Sequence, residues 1–197
     1  MKLLLGFYTT QKGEIQIGDF KLDSIPARLW RSDVGAVMQD GFIFSDTIEN
    51  NIAISDEIVD YQKLYNSVKV ANIKEFIEGL PLGFNTKIGM EGVGLSQGQK
   101  QRILIARAVY KNPKLLFFDE ATNALDAKNE KIIMENLNEF FVGKTVIIIA
   151  HRLSTVKNAD QIVVLEKGRI VEYGNHQQLT AKKGEYYQLV KNQLELG

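Results

Sequence analysis

The sequence predicts an α/β protein built on a parallel sheet that is covered by helices on both faces. Short, largely apolar runs at residues 115–118, 145–150 and 161–165 alternate with helical patterns, the clearest of which covers residues 128–141. Strands that are apolar along their length are buried on both faces, which is typical of parallel sheets. Residues 47–80 add a long stretch with apolar side chains at helical spacing, which predicts a separate helical layer.

The elements before this helical layer are short. Residues 1–6 predict the last turns of a helix, with Gly6 as its stop signal. Residues 13–18 alternate as in a strand and end at a turn, and the apolar run at residues 34–38 predicts a buried strand. Gln39 lies at the end of that second strand.

After the helical layer, Ser96 is the predicted N-cap of a helix that runs through Ala108 and stops before Asn112-Pro113. Near the end of the chain, a short helix is predicted from Ser154. A short strand is predicted over residues 169–173, and residues 184–194 predict a closing helix.

Composition narrows the class of protein. Lys plus Arg and Asp plus Glu both number 24 among 197 residues, so the chain lacks the concentrated basic excess of most nucleic-acid binders. There is no Cys, which excludes disulfide scaffolds and thiolate metal sites. The apolar runs are shorter than the roughly 20 residues of a membrane span, and the first residues lack the pattern of a signal peptide. This composition predicts a soluble intracellular chain, whose membrane role would come through a partner.

Polar residues follow the predicted strands at the point where each strand ends: Gln39, Asp119, Glu120 and His151. In open parallel sheets, ligands bind at the carboxyl ends of the strands, so these side chains are expected on one rim. A carboxylate there can hold Mg²⁺ through water, and a neighbouring carboxylate can orient or deprotonate an attacking water.

Two segments resemble motifs of the ATP-binding-cassette (ABC) ATPases. Residues 115–126 resemble the Walker B strand, the catalytic glutamate and the D-loop, and residues 95–99 resemble the signature motif. The resemblance implies a P-loop NTPase-like fold with a RecA-like core over residues 1–44 and 113–197. It also implies an inserted helical subdomain over residues 45–112 that carries the signature motif.

The same resemblance implies roles for the residues on the rim. Asp119 and Gln39 belong to the Mg²⁺ site, Glu120 is the catalytic carboxylate, and His151 contacts the γ-phosphate of ATP. Asp126 lies on the D-loop, which crosses to a second subunit. The implied ligands are therefore ATP and Mg²⁺.

The signature segment implies a dimer. Ser96 offers a hydroxyl, Gly98 allows close approach of the backbone, and the following helix directs its N-terminal dipole toward an anion. In the family this segment, here Ser96, Gln97, Gly98 and Gln99, binds the γ-phosphate of ATP that the other nucleotide-binding domain holds. Gln97 stands where Gly is commoner in the family.

The phosphate-binding P-loop is not found in the 197 residues. Such a loop needs Gly, four residues, and then Gly-Lys-Ser/Thr. Gly143-Lys144-Thr145 lacks the required upstream glycine, because position 138 is Asn, and it leads into a predicted strand. We therefore expect that the front part of the domain, with the Walker A loop, precedes residue 1. We also expect that this chain alone does not hydrolyse ATP.

Other details favour the export type of ABC transporter, and a peptide exporter over a lipid exporter. Residues 42–45, together with Ile48, Asn51 and Ile52, resemble the segment after the Q-loop that meets the transmembrane domain in exporters. Residues 86–92 occupy the place of the exporters' cross-subunit loop, with Met90 where an acidic residue is usual. The expected location is the cytoplasmic face of the membrane, reached through a transmembrane partner domain.

Two alternatives remain open at this point. One is a soluble ABC protein that acts on nucleic acid or ribosomes, although no nucleic-acid partner is expected from the charge. The other is a non-hydrolysing cassette fragment that lends its signature helix to a complete partner.

Overall fold

The computed structural model describes residues 1–54, 56–150 and 152–195, and the chain divides into two compact units, Met1–Ile149 and Ala150–Gly197. The strands of the first unit are β1 (Gln16–Ile17), β2 (Phe20–Lys21), β3 (Val34–Val37), β4 (Asp46–Thr47), β5 (Lys87–Ile88), β6 (Leu115–Asp119) and β7 (Thr145–Ile149). Its helices are α1 (Ala27–Asp33), α2 (Ile48–Ile52), α3 (Tyr61–Val70), α4 (Lys74–Glu78), α5 (Gln97–Lys111) and α6 (Ala127–Phe141).

A parallel sheet lies at the centre of the first unit. Its order is β3-β6-β7, with Val37 opposite Phe118 and Asp119 opposite Ile149. Leu116, Phe117 and Phe118 of the middle strand are buried, because side chains on both faces of β6 meet apolar neighbours. The predicted strands at residues 34–38, 115–118 and 145–150 are therefore confirmed to within one residue at their ends.

The helical layer packs around one apolar core. Six of the eight apolar side chains that define the predicted helical pattern are 1% exposed or less, namely Ile48, Ile52, Leu64, Val68, Ile73 and Ile77, whereas Val59 and Phe76 are half-buried. Helix α5 belongs to the same core through Ile103 and Ile105. It starts at the predicted cap, Ser96, and ends three residues later than predicted, where Asn112 takes a left-handed conformation before Pro113.

The N-terminal segment differs in part from the prediction. Residues 1–6 form hydrogen-bonded turns, not an assigned helix, but the Phe7 N–H donates to the Lys2 carbonyl and the Gly6 N–H to the Leu3 carbonyl. With φ of +69° at Gly6, this is the bonding pattern that closes a helix at a C-terminal glycine. Helix α1 was not predicted; its buried Trp30 donates an indole N–H to the Leu4 carbonyl at 3.0 Å.

The second unit contains α7 (Leu153–Val156), β8 (Ile162–Glu166), β9 (Arg169–Gly174), α8 (His176–Lys182) and α9 (Glu185–Glu195). The prediction that the strand near residues 161–165 is parallel was wrong, because the hydrogen-bonded partner of β8 is β9 and the pair is antiparallel. Lys167 and Gly168, at the turn, have φ of 48° and 75°. Positive φ at both central residues is typical of the tight turn of a β-hairpin. The closing helix α9 is confirmed, and α8 was not predicted.

No helix in the described part of the chain is long and apolar enough to span a bilayer.

Candidate functional site

The structure brings several of the predicted residues to one edge of the parallel sheet. Asp119 is the last residue of β6, Glu120 follows it, and Gln39 lies two residues beyond the end of β3. Because β3 and β6 are parallel neighbours, both strands end at this edge. Gln39 is exposed, whereas Asp119 and Glu120 are half-buried. His151 follows β7, but it lies outside the described residues.

Glu120 has an unusual backbone conformation. Its φ is +51°, in the left-handed region that residues with a β-carbon seldom adopt. Its N–H donates to the Ile149 carbonyl of β7 at 3.0 Å, which holds the residue at the edge of the sheet. Its carboxylate Oε2 accepts a hydrogen bond of 2.6 Å from the Asn123 side chain. The carboxylate is thus oriented by its own loop and lies beside the strand end that carries Asp119.

The start of α5 is closed by a capping box. The Ser96 hydroxyl accepts the Gln99 N–H at 3.2 Å, and the Gln99 side chain accepts the Ser96 N–H at 2.8 Å. A hydroxyl can donate its hydrogen while its oxygen accepts, so the cap leaves Ser96 able to donate to a phosphate oxygen. Gln97 is exposed and Gly98 is half-buried.

The first turn of α5 packs against the loop that follows Glu120. A β-carbon added at Gly98 would lie 3.3 Å from the Ala124 carbonyl oxygen, so a larger residue there would press on the loop. Gln101, one turn further along α5, makes hydrogen bonds to the same loop. The signature segment and the loop after β6 are therefore in direct contact within one chain.

Asp126 caps helix α6. Its carboxylate accepts the Asn129 backbone N–H at 3.0 Å and the Asn129 side-chain N–H at 2.5 Å. These bonds, first that of the Asn129 side chain and then that of its backbone, lower the pKa of Asp126. The residue predicted to reach a second subunit is thus bonded inside its own chain in this structure.

A separate group of contacts holds the segment after Gln39. The Arg107 guanidinium donates to the carbonyls of Asn51 and Phe42 at 2.7 and 2.9 Å, and its carbon lies 5.5 Å from the centre of the Phe44 ring. Asn51 is fully buried and both accepts from and donates to the Phe44 backbone. Burial lowers the pKa of Arg107. This Arg107–Asn51 clamp fixes a pair of exposed rings, Phe42 and Phe44, which meet edge to face at 5.1 Å.

Sequence reasoning named Asn51 only as part of the segment after the Q-loop, and it did not identify Gln101 or Arg107 as important. For Gln101, the sequence contained one signal, which is a polar residue on an otherwise apolar helix face. Gln101 lies on the side of α5 that buries Leu104, Ile105 and Ala108. A buried polar side chain on such a face needs hydrogen-bond partners, and those partners are distant in the sequence.

The residues at the sheet edge suit Mg²⁺. This ion takes oxygen ligands and keeps several waters and substrate oxygens, so one or two protein ligands suffice. Asp119 and Gln39 offer such oxygens at the same edge of the sheet. Among the described residues, no cluster of three or more His, Asp or Glu side chains could form a complete protein cage for a metal ion.

A parallel sheet with an Asp-Glu pair at its edge, next to a helix whose start lies in the segment Leu-Ser-Gln-Gly-Gln, is typical of the nucleotide-handling α/β domains of ABC proteins. Residues 1–123 match the family model described as ABC transporter. The chain belongs to the ABC transporter family, as its motifs predicted.

The comparisons with individual proteins agree. The chain is 48% identical to the toxin RTX-I translocation ATP-binding protein of Actinobacillus pleuropneumoniae, over 98% of this chain and 28% of that protein. It is 46% identical to the leukotoxin translocation ATP-binding protein LktB of Mannheimia haemolytica, over 99% of this chain and 27% of that protein. The chain thus spans less than a third of the length of these curated relatives.

A solved structure confirms the predicted fold class. The chain superimposes with a TM-score of 0.93 and 38% identity on a bacterial Atm1-family ABC exporter with ATP bound, over 98% of this chain and 34% of that chain. The P-loop NTPase-like α/β fold is therefore shown.

Proposed function

We propose that this chain is part of the ATP-binding and hydrolysing domain of an ABC exporter, which couples ATP hydrolysis to transport across a membrane. The main support is the match of nearly the whole chain to an ABC exporter with ATP bound. Two relatives are named as translocation ATP-binding proteins, and both names specify toxins. A peptide or protein is therefore the favoured cargo, and the cytoplasmic face of the membrane is the favoured location.

The proposed chemistry places two carboxylates at one edge of the sheet. Asp119, with Gln39, would hold Mg²⁺, which supplies charge neutralisation to the phosphates when it is bound. Glu120 would orient and deprotonate the attacking water. The hydrogen bond from Asn123 supports this role, because it holds the Glu120 carboxylate in one orientation. His151 is proposed to contact the γ-phosphate.

The second half of the site would come from a twin domain. Ser96, Gln97, Gly98 and Gln99 at the start of α5 are proposed to bind the γ-phosphate held by the other subunit, and Asp126 to reach the same interface. A helix start with a serine hydroxyl and a close-approach glycine suits an anion. We propose a functional dimer of nucleotide-binding domains, with residues 1–44 and 113–197 as the core and 45–112 as the helical subdomain.

The membrane partner is proposed to dock on Phe42 and Phe44. These rings are 62% and 44% exposed, although the loop that carries them is held firmly by Arg107 and Asn51. Exposed aromatic rings on a fixed backbone are common anchors of protein interfaces, because little entropy is lost on binding. A transmembrane domain that presents an apolar helix is the partner that this surface suits.

The first prediction tests the catalytic role of Glu120. It uses a completed cassette, in which this chain follows the P-loop-bearing segment of a full member of the family. Glu120→Gln is expected to lower Mg²⁺-dependent ATP hydrolysis at least about 100-fold, because the amide cannot accept the proton of water. Glu139→Gln, an exposed change of the same kind on α6, is the matched control and should leave the rate unchanged. Equal rates in the two variants would contradict the proposal.

A further inference from the structure

Gln101 is a buried polar residue on the apolar face of α5, and it is 9% exposed. Burial of a side-chain amide without partners costs a few kcal/mol. Both of its polar atoms have partners, and both partners lie in the loop that follows β6. The residue thus joins two parts of the chain that the sequence separates.

The two bonds reach the backbone of the proposed catalytic residue, Glu120, and the backbone of Ala124 in the loop after it. Gln101 Nε2 donates to the Glu120 carbonyl at 3.0 Å, and Gln101 Oε1 accepts the Ala124 N–H at 3.1 Å. A carbonyl can only accept and a backbone N–H can only donate, so the partners fix which way the amide faces. No other natural side chain of this length offers both functions in one plane.

These bonds act on a strained backbone. Glu120 has φ of +51°, a conformation that costs a residue with a β-carbon about 1 kcal/mol or more and persists only when its surroundings enforce it. The Glu120 carbonyl also accepts the Asn123 N–H at 3.2 Å. Gln101 therefore contributes one of the restraints that hold the Glu120 backbone, and it does so from the helix that begins at Ser96.

We propose that Gln101 is a positioning residue that fixes the proposed catalytic Glu120 relative to the signature helix. Through it, the first turn of α5, the Glu120 backbone and the Ala124 backbone move as one body. A displacement of α5 on contact with a twin domain is then transmitted directly to the carboxylate. The inference rests on the proposed function, because it assigns Glu120 the catalytic role.

The test compares two variants in the completed cassette. Gln101→Met removes both bonds at similar volume, and Gln101→Glu keeps the acceptor for Ala124 but loses the donor to the Glu120 carbonyl. Both variants are expected to lower kcat about 10- to 100-fold, since small misplacements of a catalytic group have effects of this size. The KM for ATP should stay within about twofold, because Gln101 is not proposed to touch nucleotide. Gln62→Glu, an exposed change on α3, is the matched control.

Hydrogen exchange at the Ala124 amide gives a readout that does not depend on catalysis. Exchange should be at least about tenfold faster in Gln101→Met and close to wild type in Gln101→Glu, because only the second variant keeps the acceptor. Wild-type kcat in both variants would overturn the proposal. An unchanged rate of hydrogen exchange at the Ala124 amide in Gln101→Met would contradict the hydrogen bond between Gln101 and Ala124, and with it the proposal. If Glu120→Gln alone retains activity, the proposed function fails instead, and the exchange data still report on the link.

Discussion

At the scale of single residues, three polar side chains that are buried or half-buried hold loops in place, namely Asn51, Gln101 and Arg107. Gln101 and Arg107 donate to backbone carbonyls 19 and 56 residues away in the sequence, and Asn51 bonds to the backbone of Phe44, seven residues away. Removal of one partner of such a hydrogen bond lowers the stability of the fold by more than the bond contributes, because the other partner is left buried and unsatisfied. These three residues therefore specify where the loops around the sheet edge and the aromatic pair lie.

The clamp on the aromatic pair leads to a prediction at this scale. Arg107→Lys is expected to lower the free energy of unfolding of the completed cassette by about 1–3 kcal/mol, because an ammonium cannot reproduce the planar fork that reaches both the Asn51 and Phe42 carbonyls. Urea unfolding measures this change. Arg28→Lys, at an exposed position of α1, is the control. Stimulation of hydrolysis by a transmembrane partner should also fall in Arg107→Lys, and full stimulation would contradict the proposed docking role.

Long-range contacts of this kind limit what the sequence alone can predict. The Ser96 cap and strand β6 were predicted because their signals are local: a capping residue before a helix, and a continuous apolar run. The partners of Gln101 and Arg107 could not be predicted, because they depend on which loops the fold brings together. The prediction that β8 is a parallel strand was wrong for a related reason, since the apolar composition of a strand does not determine which strand it pairs with.

At the scale of elements, side-chain caps fix the starts of three helices, and two of these caps, Ser96 and Asp126, are proposed site residues. Ser96 caps α5, Asp126 caps α6 and Asn175 caps α8, each by accepting the N–H of the third residue after it. Short helices and loops were harder to predict than the capped starts of these helices. Helix α1 has only one buried side chain, Trp30, so its apolar period is weak.

Substitutions of Ser96, the cap of α5, can distinguish its effect on the stability of the fold from its proposed role in phosphate binding. Ser96→Ala should lower the free energy of unfolding of the completed cassette by about 1 kcal/mol, whereas Ser96→Asp should preserve it, because aspartate is an equally good cap. Hydrolysis should fall at least about tenfold in Ser96→Asp, because its carboxylate repels the phosphate. Asn175→Ala, at the matching capping box of α8, should lose similar stability without this effect. Wild-type hydrolysis by Ser96→Asp would contradict the proposed contact with phosphate.

At the scale of the whole molecule, the described strands include one with an open edge. Strand β7 is a border strand of the sheet β3-β6-β7, and its side chains are half-buried or exposed although four of the five are Val or Ile. A sheet edge of this composition readily pairs with another strand. Gln39 and Asp119 lie at or just beyond the ends of β3 and β6 in this same sheet.

The 197-residue chain by itself is expected to show no ATP hydrolysis above background. Phosphoryl transfer relies on positioning and charge stabilisation, and without a P-loop several charge-assisted contacts of about 1.5–3 kcal/mol each are lost. A colorimetric phosphate assay with Mg²⁺-ATP measures this. Turnover that Glu120→Gln abolishes would contradict the expectation.

The same assay can distinguish a helper role in trans. The chain is mixed with a P-loop-bearing cassette whose own signature serine has been replaced. Restored hydrolysis would show that α5 of this chain serves a second molecule. Restoration should disappear when the added chain carries Ser96→Asp.

The cap of α6 has a consequence for assembly. The two Asn129 hydrogen bonds hold the Asp126 carboxylate in one orientation, so a turn of this side chain toward a neighbouring molecule would break at least one of them. Release of the helix start costs about 1 kcal/mol, which corresponds to roughly a fivefold weaker association. Loss of this cap on association would favour separation of the proposed dimer until nucleotide supplies compensating contacts.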